Sequence, residues 1–409
     1  MPFKLASMAK SPTPVTLQGH DDHLGVYIHV PFCASRCGYC DFNTYTAKEL
    51  AGGFSIAGYL AALSQELENA AEILAASTTP HGADTVFFGG GTPSLLGADT
   101  LAQVLAEVSR TIGLAPNCEI TTEANPESTS PDFFATLHDS GFTRVSLGMQ
   151  STSSRVLSLL GRKHSPGRAL QAAEEAIAAG FTHVNLDMIY GTPTETEAEV
   201  AATLQAIIET GVDHVSAYSL IVEAGTAFAR RVSRGELIQT DDDVLAQRYE
   251  LIAATLQAHG FDWYEVSNWA KPGGQCRHNL IYWRNRNWWG AGPGAHGHID
   301  GVRRVNVKHP ARYHSLSTKD QLPLAEVEHL TAAEHHTETV MVGLRLVEGI
   351  DATIIDPRAY PTINDFVQRG LLHQWDDPTT GQRRIAVTDR GRLLADGIIA
   401  EILISEESA

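Results

Sequence analysis

Tyr27-Ile28-His29-Val30-Pro31-Phe32-Cys33-Ala34-Ser35-Arg36-Cys37-Gly38-Tyr39-Cys40-Asp41-Phe42 carries three thiols at C-x3-C-x2-C spacing just after a short apolar, β-branched run. Three thiolates on one loop can hold three irons of a [4Fe–4S] cluster, whereas electron-transfer clusters usually close the site with a fourth cysteine. The fourth iron is then left open to a small molecule. The plainer alternative is a structural zinc site completed by a distant histidine. Zinc sites usually present paired C-x2-C units, and this chain has no second pair. Cys33, Cys37 and Cys40 are therefore expected to hold a cluster, with Tyr39 shielding it.

Outward from this loop, short β-branched runs alternate with helical stretches. The predicted strands are Val26–Val30, Thr85–Phe88, Glu119–Glu123, Arg144–Gly148, His183–Ile189 and His214–Leu220. Between them lie predicted helices at Ile56–Ala76, Asp99–Ile112, Pro131–Ser140, Arg168–Ala179 and Glu195–Glu209. Repeated β-α units with few hairpin signals predict parallel strands and right-handed crossovers. This means α/β architecture, either an open sheet or a partial (β/α)6 barrel. The barrel is preferred because every chemical motif falls just after a strand, where barrel sites collect. Asp241–Asp243 should cap a helix through Gln257, followed by a strand at Trp263–Ser267 and an aromatic, Gly-rich region from Trp269 to His298.

A second unit is expected from about residue 320, with a helix at Glu334–Leu346, another closed by Phe366–Gly370, a strand at Arg384–Val387, Thr388 as cap and a last helix over Arg390–Leu403. Helix, helix, ribbon, helix suggests a small winged-helix-like domain over 320–409. Residues 1–23 read as a flexible tail, with no apolar run of a secretory signal and no Arg of a transit peptide.

The 409 residues carry a formal net charge of −18, which argues against nucleic-acid and anionic-lipid surfaces, both of which call for basic fields. An apolar content of 43% suffices for a large core, and no run approaches the roughly 18 apolar residues of a membrane span. Five cysteines, three of them crowded together, fit a reduced cytoplasm better than a disulfide framework.

Gly89-Gly90-Gly91-Thr92-Pro93 follows the second predicted strand, and glycines there let the backbone approach a ligand's polar end. Glu123, Gln150 and Asp187 sit at later strand ends, and Arg162 follows the fourth strand. Each alone could cap a helix or bond a loop amide. Together, side chains from successive strands converge on one mouth, offering acceptors for ribose hydroxyls and one cation for a carboxylate.

These motifs, with Asp41-Phe42-Asn43, Ser94-Leu95-Leu96, Glu123–Pro126 and Tyr190-Gly191-Thr192-Pro193, resemble the radical S-adenosylmethionine (SAM) family of HemN and HemW. That family comprises oxygen-independent coproporphyrinogen III oxidases and related haem chaperones. The resemblance runs from about residue 24 to the C-terminus and implies a radical SAM core over 24–319 with a HemN-type C-terminal domain. It implies a [4Fe–4S] cluster on Cys33, Cys37 and Cys40, and SAM held by Tyr27, Gly89, Gly90, Gly91, Thr92, Glu123, Gln150, Arg162 and Asp187.

Two features favour the chaperone branch. The oxidase branch places a fourth cysteine one residue after the third, where this chain has Asp41 and Phe42, and it carries a longer N-terminal extension. Cys276-Arg277-His278-Asn279-Leu280-Ile281-Tyr282-Trp283 resembles the HNxxYW motif associated with haem. His278 would supply an imidazole, Tyr282, Trp283, Trp288 and Trp289 flat apolar surface, and Arg277 a cation for a propionate. A lone histidine among aromatics is also the signature of a satisfied core residue. Cys276 is a conceivable thiolate and His296 a conceivable second ligand, while Pro293 stands where relatives often carry a cysteine. The implied partners are haem, haem-acceptor proteins, an electron donor and a homodimeric copy. The alternative is a coproporphyrinogen III dehydrogenase that oxidatively decarboxylates propionates.

Overall fold

The computed structural model describes residues 23–50, 54–77, 82–162, 165–317 and 321–407. The expected tail, His23 apart, lies outside the described residues. Six strands form the frame: β1 (Leu24–Val30), β2 (Ala83–Gly90), β3 (Leu114–Ala124), β4 (Arg144–Gln150), β5 (His183–Tyr190) and β6 (His214–Ser219). Each pairs in parallel with the next in chain order. A doubly wound sheet would reverse its strand order at a switch point, and this one does not. The hand-over from strand to strand is that of a barrel wall.

The wall continues past both ends. Beyond β6 a tight antiparallel pair follows, β7 (Asp262–Glu265) and β8 (Asn268–Ala270), where one strand at Trp263–Ser267 was expected. The Glu265 carboxylate accepts the Ser267 N–H at 3.3 Å and folds the chain back at that point. On the free edge of β1 lies a seventh parallel strand, β9 (Asn287–Ala291), followed by antiparallel β10 (His296–Ile299), β11 (Val302–Asn306) and β12 (Leu324–His329). The sequence reading described Trp269–His298 as aromatic and Gly-rich without assigning strands there. Gly290 is needed because a Cβ there would strike the His296 backbone of the adjoining strand. Strands β7 and β12 end the sheet without meeting, so the partial (β/α)6 barrel stays open.

Residue alternation sets what each face does. Leu24, Val26, Ile28 and Val30 of β1, Val86 and Phe88 of β2, and Val145 and Leu147 of β4 are all buried against the helical layer. Full burial of each such side chain stabilises by roughly 1.5–3 kcal/mol. The helices Ile56–Ala75, Ala98–Thr111, Pro131–Asp139, Arg168–Ala178 and Glu197–Glu209 supply the other side of that core. The last starts at Glu197 rather than Glu195, because Thr196 and Glu199 form a capping box. Glu195 instead accepts the Gly191 N–H at 2.6 Å. The intervening residues of the strands face the lumen and are largely polar: Thr85, Glu119, Glu123, Arg144, Ser146, Asn185, Asp187, His214 and Ser216.

The C-terminal helices Ala332–Gly343, Tyr360–Gln368 and Ala395–Glu407 pack on a three-stranded sheet of Ile350–Asp351, Leu372–Asp376 and Arg383–Val387. Val340, Ile363, Ile385 and Ile402 centre this second core. Thr388 accepts the Gly391 N–H at 3.1 Å, and a 3-10 turn at Arg392–Leu394 precedes the final helix.

Candidate functional site at the mouth of the barrel

Cys33, Cys37 and Cys40 are free thiols at intermediate exposure on the loop that leaves β1. The Phe32–Cys33 segment pairs in parallel with Tyr45–Thr46, so the loop returns beside its own start. Asn43 ties the return to the far side of the wall, its amide donating to the Pro293 and Lys308 carbonyls at 2.9 Å each. Burial raises the Cys33 and Cys40 thiols, so neutral thiols are favoured until a cation draws off the protons. Among the described residues no three Cys, His, Asp or Glu side chains stand in the arrangement of a metal site, these thiols included. As a donor set, three thiols on one half-buried loop with a hydroxyl aimed at a sulfur fit an iron–sulfur cluster. That hydroxyl is Thr92, 3.7 Å from Cys33 Sγ.

Thr92 belongs to the glycine run, which is stitched to the cysteine loop by main chain. Gly91 N–H donates to the Val30 carbonyl and Thr92 N–H to that of Phe32, both at 2.8 Å. A Cβ on Gly91 would lie 2.5 Å from the Phe32 oxygen, so only glycine permits the approach. Gly90 has φ of +106°, and its N–H donates to Glu123 at 3.1 Å. Gly89 lies against Tyr27 and Glu123, where a Cβ would meet the Tyr27 ring at 3.0 Å.

The two mouth carboxylates differ in their partners, Glu123 accepting the Gly90 N–H and Asp187 being bonded by Asn185, Ser146 and Ser216. Burial, then the charge of Asp187, pushes Glu123 up to about 7. Burial also pushes Asp187 up to about 6, opposed by hydrogen bonds from Asn185 at 2.6 Å and Ser146 at 3.2 Å. Gln150 ends β4 at a register shift with φ of +70°, in the left-handed region that non-glycine residues rarely adopt. Its side chain is buried. Arg162 donates through Nε and Nη2 to the Tyr39 hydroxyl at 3.2 and 3.0 Å. Tyr39 thus links this cation to the cysteine loop. Tyr27 OH lies 3.2 Å from His29 Nδ1, and His29 Nε2 bonds the Asn43 carbonyl at 2.9 Å. The structure brings Tyr27, Gly89–Thr92, Glu123, Gln150, Arg162 and Asp187 to one mouth above the thiols. The polar and cationic groups there can hold a ligand bearing hydroxyls, an amine and a carboxylate. Sequence reasoning missed Ser146 and Asn185 and gave Asn43, although quoted in the motif, no role. The alternation of β4 and β5 was the available signal, since it turns Ser146 and Asn185 into the lumen.

His278 lies at the other end. Helix Arg277–Trp283 enters the barrel at the starts of the strands, where its Ile281 and His278 close on Gly25. His278 is 1% exposed, stacked on Phe87 at 5.1 Å, and both ring nitrogens are engaged. Nδ1 is 2.7 Å from Thr85 Oγ1 and Nε2 is 2.8 Å from Tyr282 OH. Burial pushes the ring down to about 3. In this arrangement neither nitrogen is open to a metal, and the ring is a satisfied core residue. Cys276 is buried, with its thiol pushed up to about 12, so it is no thiolate at neutral pH. His296 is exposed, and Cys118 is buried.

The fold and the mouth define a radical SAM barrel, and the model of the radical SAM superfamily matches residues 27–207. The chain is 55% identical to the haem chaperone HemW of Mycobacterium tuberculosis over 379 residues, covering 93% of this chain and 94% of that protein. It is 38% identical to the haem chaperone HemW of Escherichia coli, covering 94% of this chain and 98% of that protein. In fold it is similar to the E. coli coproporphyrinogen III oxidase HemN, with a TM-score of 0.78 and 21% identity over 94% of this chain and 91% of that one. The chain belongs to the HemW family.

Proposed function

We propose that this chain is a haem chaperone, which binds haem, a [4Fe–4S] cluster and SAM and passes haem to acceptor proteins. The observation that carries the reading is the 55% identity to a haem chaperone over nearly the whole of both chains. Asp41 and Phe42 support it, standing where a fourth cysteine would mark the oxidase branch.

On this reading Cys33, Cys37 and Cys40 hold the cluster. Tyr27 and the Gly89–Thr92 run meet the methionyl part of SAM, and Glu123, Gln150, Arg162 and Asp187 surround its carboxylate, ribose and adenine. Bound there, SAM completes the coordination of the open iron. The raised carboxylates fit such a role, because a ligand's hydroxyls and amine would replace the water their burial has removed. We further infer a cytoplasmic setting, an external electron donor and a homodimeric copy as partners. No helix among the described residues is long and apolar enough to cross a membrane.

The test is one anaerobic preparation, reconstituted with iron and sulfide. Haem titration followed by absorbance should saturate at one equivalent, and a haem-free acceptor should then draw the haem away. Coproporphyrinogen III incubated with SAM and a reductant should gain no vinyl groups. Rapid vinyl formation without haem binding would replace the chaperone reading with the dehydrogenase.

A further inference from the structure

Asp187 is held from behind by a chain of hydrogen bonds that runs from the mouth of the barrel to helix Arg277–Trp283. Asn185 Nδ2 donates to Asp187 Oδ1 at 2.6 Å, and Asn185 Oδ1 lies 2.7 Å from His214 Nδ1. His214 Nε2 lies 2.8 Å from the Tyr264 hydroxyl, to which Asn279 Nδ2 donates at 3.4 Å. Resting on the reading of the mouth as the SAM site, we propose that His214 is a positioning residue for SAM. Held as the Nδ1–H tautomer, it fixes the Asn185 amide and, through it, the Asp187 carboxylate.

The direction of each bond follows from the mouth inward. An ionised carboxylate only accepts, so Asn185 turns Nδ2 toward Asp187 and Oδ1 toward His214. Two neighbours agree with that orientation: Nδ2 also donates to Ser146 Oγ at 2.8 Å, and Ser216 Oγ donates to Oδ1 at 3.2 Å. Oδ1 has no hydrogen to give, so His214 Nδ1 carries one. The His214 ring is buried, and burial, then the charge of Arg144, holds it well below the usual histidine range. It is therefore neutral, and Nε2 is a bare acceptor. Tyr264 donates its O–H to Nε2, and its oxygen accepts from Asn279.

Every donor in the chain thus points the same way, toward the carboxylate. The register of β5 and β6 sets Asn185 opposite His214 and Asp187 opposite Ser216, so two adjacent strands hold all four groups in line. A carboxylate fixed before its ligand arrives loses less freedom on binding, and bonds to an ionised acceptor are the strong ones. Asn279 is the far anchor, donating also to Glu265 Oε1 at 2.8 Å. The two polar residues that open the HNxxYW segment therefore have different tasks. His278 locks the helix to β2 through Thr85, and Asn279 steadies the support of Asp187.

The experiment titrates SAM into the reconstituted protein by calorimetry at a pH above 7, where Asp187 is ionised, and reads the tautomer by NMR of nitrogen-labelled histidine. In wild type His214 should show the Nδ1–H pattern. His214→Phe keeps a ring without nitrogens and should weaken SAM by about 3–10-fold. His214→Asn, whose amide can donate to Asn185 in place of Nδ1, should recover most of that loss. Tyr264→Phe leaves the Nδ1 bond in place and should cost less than His214→Phe. An Nε2–H pattern in wild type would overturn the role, and it is read whether or not His214→Phe folds. Unchanged SAM affinity in His214→Phe, or equal losses in His214→Phe and His214→Asn, would also overturn it while leaving the mouth as the SAM site. Wild type that binds no SAM would overturn both.

Discussion

The two ends of one barrel solve the problem of buried polarity in opposite ways. At the foot, charge and hydrogen bonds largely close on themselves, Nη1 of Arg144 excepted. Arg144 and Glu119 pair at 3.1 Å with both side chains only 2% exposed, and Arg144 also donates to the Gly274 and Gln275 carbonyls. Glu119 accepts the His278 N–H at 3.0 Å, and His214 engages Asn185 and Tyr264 through its two nitrogens. At the mouth, Glu123 accepts one main-chain N–H, from Gly90, and has no cation paired with it among the described residues. Buried polar groups cost little when fully bonded and much when not. Burial therefore separates nothing here, whereas charge pairing does: Glu119 is matched by a cation and Glu123 is not. The paired foot is a fastening.

Substitutions that unfasten the foot should show the largest effect. Arg144→Ala leaves Glu119 buried without its cation and should cost about 3–5 kcal/mol, read by urea denaturation. A cost below 1 kcal/mol would mean that the foot is hydrated and the contrast overstated. His278→Ala strands the hydroxyls of Thr85 and Tyr282 and should cost about 2–4 kcal/mol, without altering SAM affinity.

At the mouth the sign reverses. The folded-state values of Glu123 and Asp187 lie above the ordinary carboxylate range, so the folded chain holds their protons more tightly than the unfolded chain. Stability from this source is complete below about pH 4 and is lost as pH rises through about 7. In the cofactor-free chain Glu123→Gln should therefore stabilise at pH 8 by up to about 3 kcal/mol and flatten the slope between. It should also weaken SAM binding. Destabilisation at pH 8 would place Glu123 among the fastened groups. The smallest effect is expected from Thr92→Val, which removes the hydroxyl near Cys33 Sγ at a cost of about 1 kcal/mol. Redox titration should show a more negative cluster potential, since hydrogen bonds to sulfur help set it.

The parallel strands and the mouth were legible because their signals are local. A β-branched run followed by glycine, carboxylate or amide places each group at a strand end, and position along the chain becomes position around the barrel. The antiparallel flank at 287–329 was hidden, because Gly290, Gly292 and Gly294 look like loop unless the closeness of the next strand is known. His278 shows the same limit more sharply. Its neighbours in sequence are aromatic and haem-like, but the partners that close it include Thr85, which is 193 residues away. The bland reading of that histidine, a satisfied core residue, describes its surroundings.

The clamp of Asn43 on Pro293 and Lys308 joins positions 250 and 265 residues apart. It has a consequence for the order of events on the ribosome. β1 is the first strand made among the described residues, yet one of its edges waits for β9, and the cysteine loop waits for the chain beyond it. Contacts so distant in sequence form late. Iron should thus enter only after about three-quarters of the polypeptide has been synthesised, and nascent chains stalled at residue 280 should hold none. Until then the thiols stand on an unfinished edge, exposed to oxidation during translation itself.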